Sequence, residues 1–508
     1  MSNATLKKNI GANFAGSIWQ AIMGLVFVPL YIKFIGIESY GLIGFFTTLQ
    51  IIFGLLDVGL GSTLTREMAR LSALTQRERE MRNLVRTLEV IYWGVAIFVG
   101  VLVVLLSPAI AEHWIKPGEL STEVIQQSIL IMGLVMVFQM PGGFYSGGLM
   151  GLQKQVLLNI INSGVNTLRG AGAVLVLWLV SPTIYAFLLW QLFVNILNAV
   201  LLVFFLWRNL PECEGRSEFQ KNLLSGIWRF AAGMSGTAVF SVILTQIDKV
   251  ILSKILPLEM FGYYMLASII AMSLGRIFTP VFFSIYPKFT QLVSINDIDE
   301  LKLLYHRICQ FFAVLILPAA IVIAFFSYEV ILLWTQNPIT ADKTHLIVSI
   351  MICGTALNGL TNPAYALQLA FGWTKLSFYK NVIAVIVLVP FIVYATKLYG
   401  VIGAASVWLL LNLGFVFIEI PIMHRKLLIN EKWQWYLKDV CIPLMTCIFV
   451  AGIGRLLTTE PMSKYMMFLY LVVISSITLG LTAFSTSVTR IWIFKYLLKL
   501  KFAHDGKE

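Results

Sequence analysis

The chain has 508 residues, 58% of them apolar and only 12% charged, with a mean hydropathy of +0.84. That composition has too few polar groups to surround a soluble core, so it excludes an ordinary globular domain and identifies a polytopic membrane protein. The formal charge of +12 would fit a nucleic-acid binder only if the cations shared one face, and here they follow the borders of apolar segments instead.

In chain order, apolar stretches of roughly 20 residues, the length that crosses the hydrocarbon as a helix, recur from end to end. About fourteen are predicted, over 13–34, 40–62, 88–106, 125–148, 156–179, 184–207, 228–254, 261–282, 305–326, 345–369, 377–396, 400–423, 440–457 and 465–487. The runs are too long and continuous for barrel strands, so the expected fold class is an all-α polytopic membrane protein. The first span follows a polar start and lacks a short apolar core with a small-residue cleavage site. It reads as a retained signal anchor.

Placing both termini in the cytoplasm puts 27 of the 37 basic residues on inner loops and borders. Only Lys33, Lys116, Lys254, Lys343, Lys397, Arg455 and Lys464 fall outside, which is the positive-inside bias. The remaining three, Arg169, Lys249 and Arg276, lie well within spans.

The chain also repeats itself. Lys33-Phe-Ile-Gly-Ile-Glu38-Ser-Tyr-Gly41 returns 221 residues later as Lys254-Ile-Leu-Pro-Leu-Glu259-Met-Phe-Gly262, and Gly151-Leu-Gln-Lys154 returns at the same offset as Gly372-Trp-Thr-Lys375. Two matches at one offset indicate a duplicated unit, the usual sequence sign of a secondary transporter whose site lies between its halves. The expected organisation is an N-lobe of six helices (1–208), a cytoplasmic linker (209–226), a C-lobe of six (227–428), and two further helices with a basic tail (429–508). Each lobe has an even number of helices, so the expected relation is a pseudo-two-fold along the membrane normal. The last two helices read as a peripheral appendix.

The fourth and tenth spans carry Pro141-Gly142-Gly143 and Asn362-Pro363 at matching places, and paired interruptions of this kind point to a bending or binding region. Pro141 and Pro363 are therefore candidate hinges, with a tolerated kink as the simpler reading.

Several spans carry polar residues at helical spacing: Asn13, Ser17 and Gln20; Thr47, Gln50 and Asp57; Asn159, Asn162, Asn166 and Arg169; Gln191, Asn195 and Asn198; Ser241, Thr245, Asp248 and Lys249. Such stripes would be costly against lipid, so they should face each other or water, either as hydrogen bonds gluing helices or as the lining of a hydrated cavity. An ionisable group in the hydrocarbon costs about 2.5–3.5 kcal/mol on insertion scales unless paired or hydrated. Arg169, Lys249 and Arg276 have the uncharged repeat counterparts Pro390, Val28 and Leu55, so the duplicated fold does not demand them. They are expected to supply positive potential for an anionic substrate, arginine being well suited to phosphate oxygens, with Asn162, Asn166 and Gln191 beside them in the cavity. The competing reading is internal salt bridges. Asp57 and Arg276 lie at similar depth and would make an inner gate, while Asp248 either neutralises Lys249 or binds a coupling cation, H+ or Na+. Glu89 and Glu419 sit near inner borders and are expected to reach interfacial water.

No cofactor or metal is expected: the five histidines (His113, His306, His345, His424, His504) lack ligand spacing, the five cysteines lack metal or redox spacing, and no phosphate-cradling loop is present. Short outward loops leave little room for a catalytic domain, so no enzyme is expected.

The run Asn13-Phe-Ala-Gly-Ser, Pro29-Leu-Tyr-Ile-Lys33-Phe-Ile-Gly36, Glu38-Ser-Tyr-Gly41 and Phe53-Gly-Leu-Leu-Asp57-Val-Gly-Leu-Gly61 with Arg66-Glu67 resembles the Wzx-type polysaccharide flippases. Gln246-Ile-Asp248-Lys249 through Glu259-Met-Phe-Gly262-Tyr-Tyr resembles their second-lobe pattern. They belong to the MATE-like superfamily, which also holds multidrug extruders and lipid II flippases. The resemblance implies a V-shaped pair of lobes moving an undecaprenyl-pyrophosphate-linked oligosaccharide between leaflets of the bacterial inner membrane by alternating access. Fourteen spans fit its extended members. The pathway would be O-antigen, capsule or exopolysaccharide synthesis, with a polymerase and a chain-length regulator as candidate partners and no nucleic acid. A lipid II flippase or a cation-coupled multidrug exporter would share the fold, and a membrane glycan polymerase or ligase is the alternative of another class.

Overall fold

The computed structural model describes residues 3–54, 60–72, 74, 76–213, 215–223, 242–243, 245–458, 462–487 and 489–490. Two compact units divide these residues, Met1–Gly262 and Tyr263–Glu508.

The first unit holds α1 (Asn3–Val26), α2 (Val28–Gly54), α3 (Leu60–Leu71), α4 (Glu78–His113), α5 (Thr122–Gly151), α6 (Gln155–Leu179), α7 (Ile184–Asn209), a helix over 245–255 (α8), and the start of α9 (Leu258–Ser273). The rest of α9 lies in the second unit, with α10 (Gly275–Ser294), α11 (Ile298–Phe325), α12 (Ser327–Thr335), α13 (Pro338–Ala370) and α14, which starts as Thr374–Gly414. A π turn over Phe415–Glu419 and a stretch Ile420–Lys426 extend α14. Two more helices follow, α15 (Lys432–Leu457, with a π turn at Trp435–Cys441) and α16 (Lys464–Ser485).

Several of these helices begin where a short polar side chain accepts an otherwise unpaired N–H. Ser121, Thr183, Asp297, Asn337 and Ser463 each cap a helix in this way, a contact worth about 1 kcal/mol. Eleven helices among the described residues are long and apolar enough to cross a membrane, a count taken over continuous helices. The stretch Thr374–Lys426 is one of them, yet its 53 residues would reach ~80 Å if straight, far beyond the ~30 Å hydrocarbon. It folds back at Gly400, whose φ of 57° and ψ of −138° are open only to glycine at low cost. Gly36 divides α2 in the same way, with φ 79°. Most of the predicted span 228–254 lies outside the described residues. The helices are therefore compatible with fourteen crossings.

The expected interruptions at the prolines are corrected. Helix α5 runs unbroken through Pro141, and α13 through Pro363, both buried. A proline removes one backbone hydrogen bond, and packed neighbours hold the helix across the gap. The real breaks are at Gly36 and Gly400.

The core of the first unit is built where α3, α4, α5 and α7 meet, from Leu64, Met68, Leu88, Phe144, Leu149 and Leu202 among others. One further contact ties the repeat motif to its own copy. A Cβ added to Gly41 on α2 would enter the carbonyl oxygen of Leu258 and lie 3.1 Å from the Gly262 nitrogen, while one added to Gly262 would enter the carbonyl of Ile37. The two repeat-related glycines thus let two backbones touch.

Next to this crossing, Glu38, 8% exposed, accepts backbone N–H groups from the turn after α4: Gly118 at 2.7 Å, Glu119 at 2.8 Å and Leu120 at 3.3 Å. The same turn is fastened to α8 and the start of α9. Trp114 Nε1 donates to Ser253 Oγ at 3.0 Å, Lys116 Nζ to the Ile255 carbonyl at 2.9 Å, and the Leu258 N–H to the Lys116 carbonyl at 2.9 Å.

Candidate functional site: charged centres within the helices

Arg169 stands on α6, partly buried. One guanidinium nitrogen donates to Asn195 Oδ1 on α7 at 3.1 Å, and Nε has no partner. Asn195 is oriented in turn by its own donation to the Gln191 carbonyl at 2.7 Å. Tyr31, whose hydroxyl reaches the neighbouring Gly170 carbonyl at 3.4 Å, packs edge-on against Phe187. Among the described residues no carboxylate lies within ion-pair distance of Arg169. Its partners are neutral, so the charge stays available.

Lys249 is different. It is 8% exposed, donates to both carboxylate oxygens of Asp248 at 3.2 Å, and donates to the Thr245 carbonyl at 2.9 Å. This is the neutralised arrangement weighed from the sequence. Arg276 is exposed near the start of α10, in the second unit. Asp57, its expected gate partner, lies outside the described residues, as does Ser241.

The polar stripes divide into paired and unpaired groups. Asn159 Nδ2 donates to Asn13 Oδ1 at 2.6 Å and Trp19 Nε1 to Thr167 Oγ1 at 2.9 Å, locking α1 to α6; Gln50 and Gln139 pair α2 with α5. Asn162 and Asn166, partly buried on α6, have no hydrogen-bond partner among the described residues. Asn198 carries a buried unpartnered Oδ1 and faces Gly142 beside Pro141. Gln191 is 7% exposed on α7.

The expectation that Glu89 and Glu419 reach interfacial water is corrected, because both are buried in hydrogen-bonded networks. Glu89, 6% exposed, accepts from Tyr145 Oη at 2.7 Å and Trp207 Nε1 at 3.2 Å and pairs with Arg86 at 2.9 Å. Glu419, 3% exposed, pairs with Lys380 Nζ at 2.9 Å and accepts from Gln368 Nε2 at 2.9 Å. Satisfying both oxygens inside the protein removes the drive to extend toward water.

A third centre has no counterpart in the sequence reading. His306 Nδ1 meets Asp439 Oδ2 at 2.5 Å and its Nε2 meets Glu431 at 3.3 Å. Gln310 donates to Asp439 Oδ1 at 2.9 Å, and Lys302 pairs with Glu431 at 3.2 Å. Asp439 is fully buried. The pairing fastens α15 to α11, so the two last helices are docked through a polar staple rather than through apolar contact alone. Gln310 is the repeat counterpart of Glu89, at the same offset of 221. The signal was two ionisable groups, His306 and Asp439, at the edges of apolar runs. Each of the two π turns carries one of the buried acids, Glu419 and Asp439.

Asp439→Ala strands His306 and Gln310 together. Losing one member of such a buried pair costs about 3–5 kcal/mol, and the expected result is proteolytic release of the α15–α16 segment at a temperature where the parent chain is intact. Unchanged protease resistance would show that apolar packing alone holds that segment.

The family model described as polysaccharide biosynthesis protein matches residues 6–293, more than half of the chain. The chain belongs to the polysaccharide biosynthesis protein family. A Shigella flexneri relative named "Putative O-antigen transporter" is 20% identical over 400 residues, covering 77% of this chain and 93% of the relative. The lipopolysaccharide biosynthesis protein WzxC of Escherichia coli K12 is 22% identical over 222 residues, 42% of this chain and 43% of that one. Among solved structures, an inward closed lipid II flippase MurJ superposes with a TM-score of 0.68 at 14% identity, covering 94% of this chain and 98% of MurJ. An inward-facing MATE-family multidrug transporter gives 0.64 at 13% identity, covering 80% and 96%. At these identities the structural likeness speaks to fold alone, and the fold of this family member is the all-helical one that MurJ and MATE transporters share.

Proposed function

We propose that this polysaccharide biosynthesis family member is a flippase that carries an undecaprenyl-pyrophosphate-linked oligosaccharide across the bacterial inner membrane by alternating access, for O-antigen, capsule or exopolysaccharide synthesis. Both termini are cytoplasmic in this reading, and the lobes are residues 1–208 and 227–428 with a linker between them. The observation that carries it is Arg169: a guanidinium in a spanning helix with only a neutral hydrogen-bond partner among the described residues, on a face shared with Asn162 and Asn166. Such a group is costly to keep in a membrane unless it meets an anion during the working cycle, and its planar donors match phosphate oxygens. Arg276 is the second cation assigned to the substrate, with Lys249 joining only when Asp248, assigned like Asp57 to gating or to coupling with H+ or Na+, releases it. Pro141 and Pro363 are assigned as flex points.

A cation exporter needs an unpaired deep acid. Among the described residues, the deep acids Glu89, Glu419, Asp439 and Asp248 are each engaged by a donor or cation of the chain itself, which favours the anionic cargo. The test is deletion of the gene followed by leaflet-resolved assay of the lipid-linked glycan. The expected result is accumulation on the cytoplasmic face with loss of surface glycan, restored by the intact chain. Normal surface glycan in the deletion strain would overturn the proposal.

A further inference from the structure

We propose that the groove between the two arms of α14 holds the polyprenyl chain of the lipid-linked substrate, with its phosphate end at Lys375, Arg425 and Lys426. The inference rests on the flippase reading and adds a site to it.

The groove encloses about 430 Å3 between residues 376–391 of one arm and 407–422 of the other. The arms are antiparallel, because the helix turns back at Gly400. Fifteen residues of helix make the groove ~22 Å long, and it is open along one side, where Ile383, Val387 and Ile418 are exposed.

Every lining residue except Lys380 and Glu419 is uncharged, and nearly all are hydrocarbon or aromatic. The charged pair sits near one end of the groove, one turn in from Leu376 and Ile422. Lys380 also lies 4.4 Å from the centre of the Phe415 ring, so the ion pair and an aromatic face together form the polar stop of an apolar channel. Just beyond that end stand Lys375, Arg425 and Lys426, all exposed, with Lys426 over the Trp373 ring at 4.1 Å. Lys380 and Glu419 cancel each other, and among the described residues no acid pairs with the three cations beyond them. A site that is apolar along its length and cationic at one end recognises an amphiphile with an apolar chain and an anionic head.

The measurement is native mass spectrometry of the full-length protein titrated with undecaprenyl phosphate, with phosphatidylglycerol as competitor. Val387→Trp and Leu410→Trp place an indole in the groove from opposite arms, at positions that are 58% and 50% exposed and so tolerate bulk. Ile386→Trp points away from it. The expected result is about tenfold weaker binding of undecaprenyl phosphate for each groove variant and for the triple Lys375→Glu, Arg425→Glu, Lys426→Glu change, with Ile386→Trp like the parent. Parental affinity in both tryptophan variants, with normal gel-filtration profiles, overturns the proposal, as does equal displacement by phosphatidylglycerol. Complementation separates the two readings: an intact chain that restores surface glycan while the groove variants bind normally sinks the groove alone, and one that restores none sinks the flippase reading.

Discussion

Arg169→Gln is expected to lower glycan export by about ten- to a hundredfold, the loss of one charge-assisted contact to phosphate, while leaving the protein inserted and folded. The substitution keeps a donor for Asn195 Oδ1, which Arg169 holds at 3.1 Å, so the α6–α7 contact persists. What disappears is a cation with no acid beside it among the described residues. A buried charge without a partner costs stability, so the unfolding temperature in detergent should stay level or rise. Export and stability thereby move in opposite directions, which a structural role for Arg169 does not produce. Arg169→Lys keeps the charge without the planar fork and should fall between the two. Surface-glycan immunoblots and thermal melts of the same preparations are the readouts. Parental export with Gln at this position would remove Arg169 from the site.

Substituting Gly41 or Gly262 by valine is expected to destabilise the fold. In each case the new Cβ would enter a backbone carbonyl, that of Leu258 or of Ile37, and a helix backbone cannot move aside as a flexible side chain can. Overpacking of this kind costs about 1–3 kcal/mol, and the neighbouring Glu38 strap, with three N–H groups held on one carboxylate, resists the separation that would relieve it. Gly164→Ala is the control, because a Cβ there meets nothing within 4 Å and alanine favours the helix. The expected result is a lowered melting temperature and yield for either valine variant and no loss for the control. Equal melting temperatures would mean that the crossing loosens readily.

The repeat was legible because it is a pattern of residue types, but what each identity does was not. Glu38 and Gly41 read only as members of the repeated motif. They proved to be a receptor for three amides of the turn at Gly118 and half of a backbone crossing with the start of α9. Glu89 and Glu419 were placed near water by their position in an apolar run, yet depth along a helix says nothing of which side chains surround it. Tyr145, Trp207, Gln368 and Lys380 supply partners from other helices. The staple of His306 and Asp439 escaped for the same reason.

Hydropathy alone determined that the chain crosses a membrane repeatedly as helices, since a backbone in hydrocarbon must satisfy its own hydrogen bonds within each segment. The offset of 221 residues determined that a duplicated unit underlies it, and the three deep cations were visible as departures from that duplication. Only the tertiary structure decided which charges are already spent. Among the described residues Lys249 is neutralised by Asp248, the buried acids are satisfied, and Arg169 has only a neutral partner, because pairing is a matter of a few ångströms between helices that the sequence leaves unplaced. It also decided where the helices turn, at Gly36 and Gly400 rather than at the prolines, since a packed helix tolerates one missing hydrogen bond but not a reversal of direction without a residue free to take positive φ.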